Sequence, residues 1–372
     1  METEKDNKKP TIAILHTGGT IASKVDYKTG GVIARFTPEE ILEMFPELKE
    51  IANIKSKLIA NMFSEDIRFK HYSLMCKAVE EEIKNNVDGI ILTHGTDTIG
   101  YSAAALSFAL ENLNVPVILV GSQRSSDRGS SDAAMNLICA AKFISKTDFA
   151  GAAICMHENT SDDSCLIMPA CKTRKLHTSR RDAFKVVNGK PIARVSYKTG
   201  KIEFLKKDYE KKEKGRKLIV KDKFEEKVAI LKTHPNMFPE QFEFYKSYEG
   251  LVIEGTGLGQ APVGTPNEIS KIHAKNLEAI KKIIKNGCVV VMASQCIFGR
   301  VQMHVYSDAI DLANAGVIPG GDMLAETAFI KLAWLLGNYK KDEAKEMVGK
   351  NLRGELNERI LADEFLDNDT YS

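Results

Sequence analysis

At 372 residues the chain exceeds one typical domain and gives room for two, each able to bury its own core. Lys plus Arg number 52 against 50 for Asp plus Glu, so the formal charge of +2 offers no whole-surface attraction to a polyanion or an anionic membrane. The seven cysteines are odd in number and show no two-residue gap of zinc or redox motifs, so they read as reduced, mostly buried thiols.

The first strand signal is TIAIL (11–15), preceded by the charged stretch METEKDNKK. That opening lacks the apolar core and small-residue cleavage site of a secretory signal, which places the protein in the cytoplasm. Thr37-Pro38-Glu39-Glu40 then marks a helix start, with a hydroxyl cap, a proline at the first helical position and a glutamate three residues after the cap. GIILTH (89–94) reads as a second strand. Beyond Asp97, the residues Ile99, Ala103, Leu106, Leu110 and Leu113 recur at three- and four-residue steps and predict one apolar stripe along a helix. VPVILVG (115–121) and GAAICMH (151–157) continue the alternation of apolar runs with helical periods that marks a parallel α/β sheet. The longest apolar runs are strand-sized, far below the roughly 20 residues that span a bilayer, so no membrane span is expected.

From Lys206 to Lys227 the texture changes to KKDYEKKEKGRKLIVKDKFEEK, highly charged and poor in large apolar residues. This predicts a solvated connector; its lysines, interleaved with acids, fit a plain linker better than an RNA-touching patch. Alternation resumes with VAILKTHP (228–235), GLVIEGTG (250–257) and CVVVMASQ (288–295), giving a smaller second α/β domain. The expected division is 1–205, a charged linker 206–227, and 228–372.

Three segments carry chemistry. Thr17-Gly18-Gly19-Thr20-Ile21-Ala22 follows the first strand directly, where open parallel sheets place their ligand crevice. Its two glycines allow a tight turn and close backbone approach, although a plain strand-to-loop turn fits the same residues. It lacks both the dinucleotide spacing and the Gly-Lys-Ser/Thr of phosphate loops. His94-Gly95-Thr96-Asp97-Thr98 occupies the same place after another strand, and there a carboxylate also caps helices naturally. Two hydroxyl-bearing turns at the carboxyl ends of strands in one sheet can face a single crevice, with helix N-termini supplying positive potential for an oxyanion. The third segment, Lys172 to Phe184, is dense in charge without amphipathic period and fits a solvated loop as well as a site. An amine shielded from water gives up its proton more readily, and a threonine hydroxyl needs such a partner to act as a nucleophile.

TGGTIA near the start, HGTDT about seventy residues later, and Lys175 nine residues before the phenylalanine of Asp182-Ala183-Phe184 together resemble the L-asparaginase superfamily, from Thr11 to about Leu356. The resemblance implies a two-domain α/β fold, with a larger N-terminal doubly wound, Rossmann- or flavodoxin-like domain to about Leu205 and a smaller C-terminal one from about Val228. It implies Thr20 as acyl-accepting nucleophile, with Thr96, Asp97 and Lys175 as the supporting hydroxyl, carboxylate and amine. Tyr27 matches a flap tyrosine near the nucleophile. Ser64 matches the serine that holds the substrate α-carboxylate, and Thr96 and Asp97 complete substrate binding, Asp97 meeting the α-ammonium. The implied reaction releases ammonia from a side-chain amide without metal or organic cofactor.

SKVDYKTG (23–30), SEDI (64–67), GSQRSSDRGSSDAAMNLICA (121–140), RKLHTSRRDAF (174–184), IEGTGLG (253–259) and SQCIFGRV (294–301) are similar to one branch, the D subunits of archaeal glutamyl-tRNA(Gln) amidotransferases. That branch implies a glutaminase or asparaginase subunit feeding ammonia from glutamine or asparagine to a partner E subunit. The E subunit uses ATP and Mg to convert Glu-tRNA(Gln) to Gln-tRNA(Gln). The branch carries an extra small N-terminal domain, where here about ten residues precede the first strand. The alternative is a free-standing cytoplasmic type I L-asparaginase, and a non-catalytic scaffold is the third reading. A homodimer or a tetramer of dimers is expected, because the family's pocket is completed across a subunit contact.

Among other residues, His94 reads as a positioning group beside stronger candidates. Glu254 fits either a site residue or a paired structural carboxylate, and Arg180 and Arg181 fit a partner surface or an ordinary exposed loop. Cys139 and Cys296 read as core thiols.

Overall fold

The computed structural model describes residues 9–19, 21, 23–25, 32–34, 40 and 43–365. The helix start expected at Thr37-Pro38-Glu39-Glu40 lies outside them except for Glu40. The chain divides into two units, one of Met1–Val186 with Lys190–Lys221, the other of Val187–Gly189 with Asp222–Ser372.

Unit 1 is built on an eight-stranded sheet of β1 (Thr11–Gly18), β2 (Asn53–Met62), β3 (Gly89–Thr93), β4 (Pro116–Val120), β5 (Gly151–His157), β6 (Ser164–Pro169), β7 (Ala193–Ser196) and β8 (Ile202–Phe204). Their order across the sheet is β8-β7-β6-β5-β4-β3-β1-β2. The half from β2 to β5 is parallel, as the alternating apolar and helical segments predict. From β5 to β8 the pairing is antiparallel, so the sheet is mixed and not wholly parallel. Between β5 and β6, and between β7 and β8, the connecting turns are too brief for a crossover helix, which enforces antiparallel pairing there.

Ile12, Ala13, Ile14 and Leu15 are all buried, which explains a continuous apolar run where a half-exposed strand would alternate. Ile12, Ile14, Ile91, Ile118 and Val120 pack against helix α3 (Ala133–Lys146) through Leu137, Ile138, Ala141 and Phe143. Helices α1 (Phe69–Lys84) and α2 (Ile99–Ala109) also pack on the sheet and on each other. Helix α2 differs from the predicted single stripe: it is buried on nearly every side and ends at Ala109. Its alanines suit burial all round, and Leu110–Glu111 leaves the helix to pair antiparallel with Ile219–Val220.

That pairing also corrects the expected linker. Residues 206–221 belong to unit 1, and the boundary falls between Lys221 and Asp222. Tyr209 stacks on Phe204 with centroids 4.3 Å apart and donates its hydroxyl to Asp148 at 2.8 Å, while Ala150 N donates to Glu210 O at 2.8 Å. Most of the lysines face water while the backbone and one aromatic ring bind the fold, and Lys221 pairs with Glu111 at 3.1 Å.

Unit 2 holds a four-stranded parallel sheet of β9 (Val228–Lys232), β10 (Gly250–Gly255), β11 (Val289–Ser294) and β12 (Ile318–Pro319). Leu251, Ile253, Val290 and Met292 form its core with Ile280 and Ile283 of helix α4 (His273–Lys285). Helix α5 (Ala325–Asn338) buries Trp334 and also the charged Lys331. No helix among the described residues is long and apolar enough to cross a membrane.

Candidate active site

Strands β1 and β3 are parallel neighbours, so the segments that leave their carboxyl ends emerge on one edge of the sheet. Thr20 and Tyr27 lie outside the described residues. Gly19, which immediately precedes Thr20, has φ +79°, and a Cβ added to it would fall 2.4 Å from Gly95 N and 2.5 Å from Gly95 Cα. Only glycine accommodates both that dihedral and that approach. Gly95 immediately precedes Thr96, so the two motif turns touch backbone to backbone. A Cβ on Gly95 would fall 2.7 Å from Ser64 Cβ, and one on Gly121, which follows β4, 2.8 Å from Thr96 Cγ2. The segments after β1, β2, β3 and β4 thus converge on Gly95 and Thr96.

Lys175 arrives from elsewhere. It ends the first strand of an antiparallel hairpin, Thr173–Lys175 paired with Phe184–Val186, and lies opposite the buried Phe184. Gly100, in the first turn of α2, lets this hairpin lie close, since a Cβ there would be 3.1 Å from Thr173 O. The Lys175 amine donates to Thr96 Oγ1 at 2.9 Å and to Asp97 Oδ1 at 2.7 Å. Its side chain is 14% exposed, whereas that of Asp97 is 66% exposed. Asp97 does not cap α2, whose N-cap is Thr98, and Thr98 Oγ1 donates to Ser64 O at 2.6 Å. The structure therefore brings together Ser64, Thr96, Asp97 and Lys175, with Thr96 and Ser64 buried. An amine bridging a buried hydroxyl and a partly solvated carboxylate can take up and return a proton at that hydroxyl.

His94 is fully buried beneath this cluster and touches the turn from below. Its Nδ1 lies 2.7 Å from Gly95 O, which can only accept, so Nδ1 carries the proton and Nε2 accepts from Ser102 Oγ at 2.7 Å. Ser102 also bonds the Tyr72 side chain, whose phenol burial holds well above its ordinary value. Burial pushes the His94 imidazole down to about 4, so it is neutral at working pH. The folded imidazole binds no proton until near pH 4, while the unfolded one titrates at 6.5, so stability is lost as pH falls through that interval. His94 should contribute a fall of about 3 kcal/mol between those limits. His157, also held down by burial, adds in the same direction. Urea unfolding at pH 7 and pH 4.5 should show a smaller loss for His94→Gln than for the parent; equal losses would count against this assignment.

Arg180 forms a bidentate pair with Asp182, at 2.8 Å and 2.9 Å, which holds that carboxyl below its usual range. Arg181 donates to Asp162 at 2.6 Å and to Thr160 O, so Arg180 braces its own loop and Arg181 ties that loop to the turn between β5 and β6. Glu254 stands at the carboxyl end of β10 in unit 2, where its carbonyl accepts from Gln295 Nε2 at 2.8 Å. Cys139 is buried as expected, but Cys296 is exposed: it lies two residues beyond the end of β11, in a surface loop. Among the described residues no group of three His, Cys, Asp or Glu is placed to hold a metal ion. Sequence reasoning misses Ser102, Tyr72 and Gly121. Gly121 directly follows a strand, and that position is its one local signal.

Residues 11–210 match the family described as "Asparaginase, N-terminal" and residues 227–348 the "Glutaminase/Asparaginase C-terminal domain". The chain is 48% identical to the D subunit of the glutamyl-tRNA(Gln) amidotransferase of Pyrococcus furiosus, over 98% of this chain and 81% of the relative. With the protein of that name from Archaeoglobus fulgidus it is 47% identical, over 93% of this chain and 79% of the relative. Among solved structures, the thermostable L-asparaginase of Thermococcus kodakarensis superposes with a TM-score of 0.82 at 29% identity, covering 94% of this chain and all of the other. Matches to both family domains, over residues 11–210 and 227–348, together with 48% identity to a relative covered over most of its length, make this chain a member of the asparaginase family.

Proposed function

We propose that the chain is the ammonia-releasing subunit of a tRNA-dependent amidotransferase that converts Glu-tRNA(Gln) to Gln-tRNA(Gln). Thr20 Oγ attacks the side-chain amide carbon of glutamine or asparagine and forms an enzyme ester. The Thr96–Lys175–Asp97 group takes the hydroxyl proton and returns it to the departing ammonia; water then cleaves the ester and restores Thr20. Ser64 holds the substrate α-carboxylate, Asp97 the α-ammonium, and Tyr27 closes over the nucleophile. The observation that carries the reading is the Lys175 amine, bonded at once to Thr96 Oγ1 at 2.9 Å and Asp97 Oδ1 at 2.7 Å. The Gly19–Gly95 contact supports it by setting the residues that precede Thr20 and Thr96 against each other.

This subunit needs no cofactor in the proposal, ATP and Mg being used by the partner E subunit, and it works in the cytoplasm as a homodimer. Identity of 48% with an amidotransferase D subunit against 29% with an L-asparaginase favours the amidotransferase reading over a free-standing asparaginase. Ammonia release from glutamine and from asparagine is to be measured for the full chain alone, then with the E subunit and Glu-tRNA(Gln). Stimulation by both additions is expected. Rapid asparagine turnover that ignores them would replace this reading with the free-standing enzyme.

A further inference from the structure

Asp132 stands at the N-cap of helix α3, a residue type that ordinarily caps its own helix, yet its side chain makes no cap hydrogen bond there. The carboxylate turns back into the preceding loop. It is fully buried and accepts from Gln123 N at 3.0 Å, Arg124 N at 3.2 Å, Ser122 Oγ at 3.0 Å and Asn136 Nδ2 at 3.3 Å. A buried charge is tolerated only with such a set of donors, and in return it fixes their relative positions. The loop it closes, residues 121–132, touches the candidate site at two points. At its start Asn136 Nδ2 holds Gly121 O at 3.0 Å, and Gly121 lies against the Thr96 methyl, where an added Cβ would be 2.8 Å away. Midway along the loop Ser126 Oγ donates to Ile21 O at 2.6 Å, and Ile21, fully buried, is the residue after Thr20.

We propose that the loop closed by Asp132 is the positioning element that sets the Thr20 and Thr96 turns against each other, with Ser126 as its clamp on the first and Gly121 as its stop on the second. The inference rests on the amide-hydrolysis reading above. Neither Asp132 nor Ser126 touches substrate in it; both act through the residues they hold. A hydroxyl nucleophile must meet its target within a few tenths of an ångström, and a misplacement of about 1 Å costs on the order of a hundredfold in rate.

The test compares Ser126→Ala, Ser126→Thr and Asp132→Asn in the full chain, with Thr20→Ala and Lys175→Met in the same ammonia-release assay. Ser126→Ala should lower kcat about tenfold with KM nearly unchanged, and Ser126→Thr, which keeps the hydroxyl, should restore most of it. Asp132→Asn turns an NH2 toward backbone donors and should lower kcat on the order of a hundredfold. The pH profile of what activity remains should keep the parent's shape, since the proton-carrying groups are untouched. Parent-like kcat in a folded Ser126→Ala would overturn the inference, as would a loss no larger than the loss of folded protein. Should Asp132→Asn not fold, the two Ser126 variants decide alone. Ammonia release surviving in Thr20→Ala and Lys175→Met would instead sink the amide-hydrolysis reading, and the inference with it.

Discussion

Lys175→Met should lower kcat for ammonia release by about 10³-fold, within the range that positioned proton-transfer groups supply. It removes the amine that touches both Thr96 Oγ1 and Asp97 Oδ1. Stability should hardly move, because Asp97, with 66% of its side chain exposed, keeps its hydration when the lysine goes. This separates loss of chemistry from loss of fold. Groups that act as a unit fail together, so Thr96→Val added to Lys175→Met should cost little more than Lys175→Met alone. Steady-state kinetics and thermal unfolding on the three variants check both statements. A Lys175→Met enzyme within tenfold of the parent, or a double variant losing the product of the two single losses, would remove Lys175 from the reaction.

The largest stability effect is expected in unit 2, at Lys331 and Glu355. Both side chains are fully buried with Nζ and Oε1 2.5 Å apart. Lys331 also donates to Lys350 O, and Glu355 accepts from Leu352 N at 2.9 Å and Arg353 N at 2.6 Å, so the pair ties the segment after the last helices to α5. Removing one partner strands a charge in a low-dielectric interior, at a cost of about 3–5 kcal/mol. Lys331→Met or Glu355→Gln should therefore lower the unfolding midpoint by roughly 10 °C. Replacing both with apolar residues of similar volume should recover most of the loss, since no charge is then left unpaired. Urea and thermal unfolding would decide the matter; a single-variant loss below about 1 kcal/mol, typical of an exposed pair, would contradict it.

The parallel strands were legible because a strand buried on both faces reads as an unbroken apolar run, and TIAIL, GIILTH and VPVILVG are such runs. The turn bearing Thr96 and Asp97 was legible for the same local reason, since it follows the end of β3 directly. Leu110 misled because its spacing from Leu106 continues a helical period, while its actual partner, Val220, is far along the chain. The charged stretch 206–221 misled because composition reports solvent exposure, which its lysines have, but not backbone pairing, which Glu210 and Ile219 supply.

Taken alone, the sequence determined which residue types stand at the ends of which strands, and the motif spacing that places the chain in its family. Those are local properties, written in runs of a few residues. Tertiary structure decided that Lys175, on a charged hairpin without helical or strand-like period, reaches a hydroxyl 79 residues away. It likewise decided that Ser126 clamps a carbonyl 105 residues away and that Asp132 forsakes its own helix for the loop before it. Such contacts depend on strand order and on where glycine lets backbones meet, and both are set only when the whole sheet has formed.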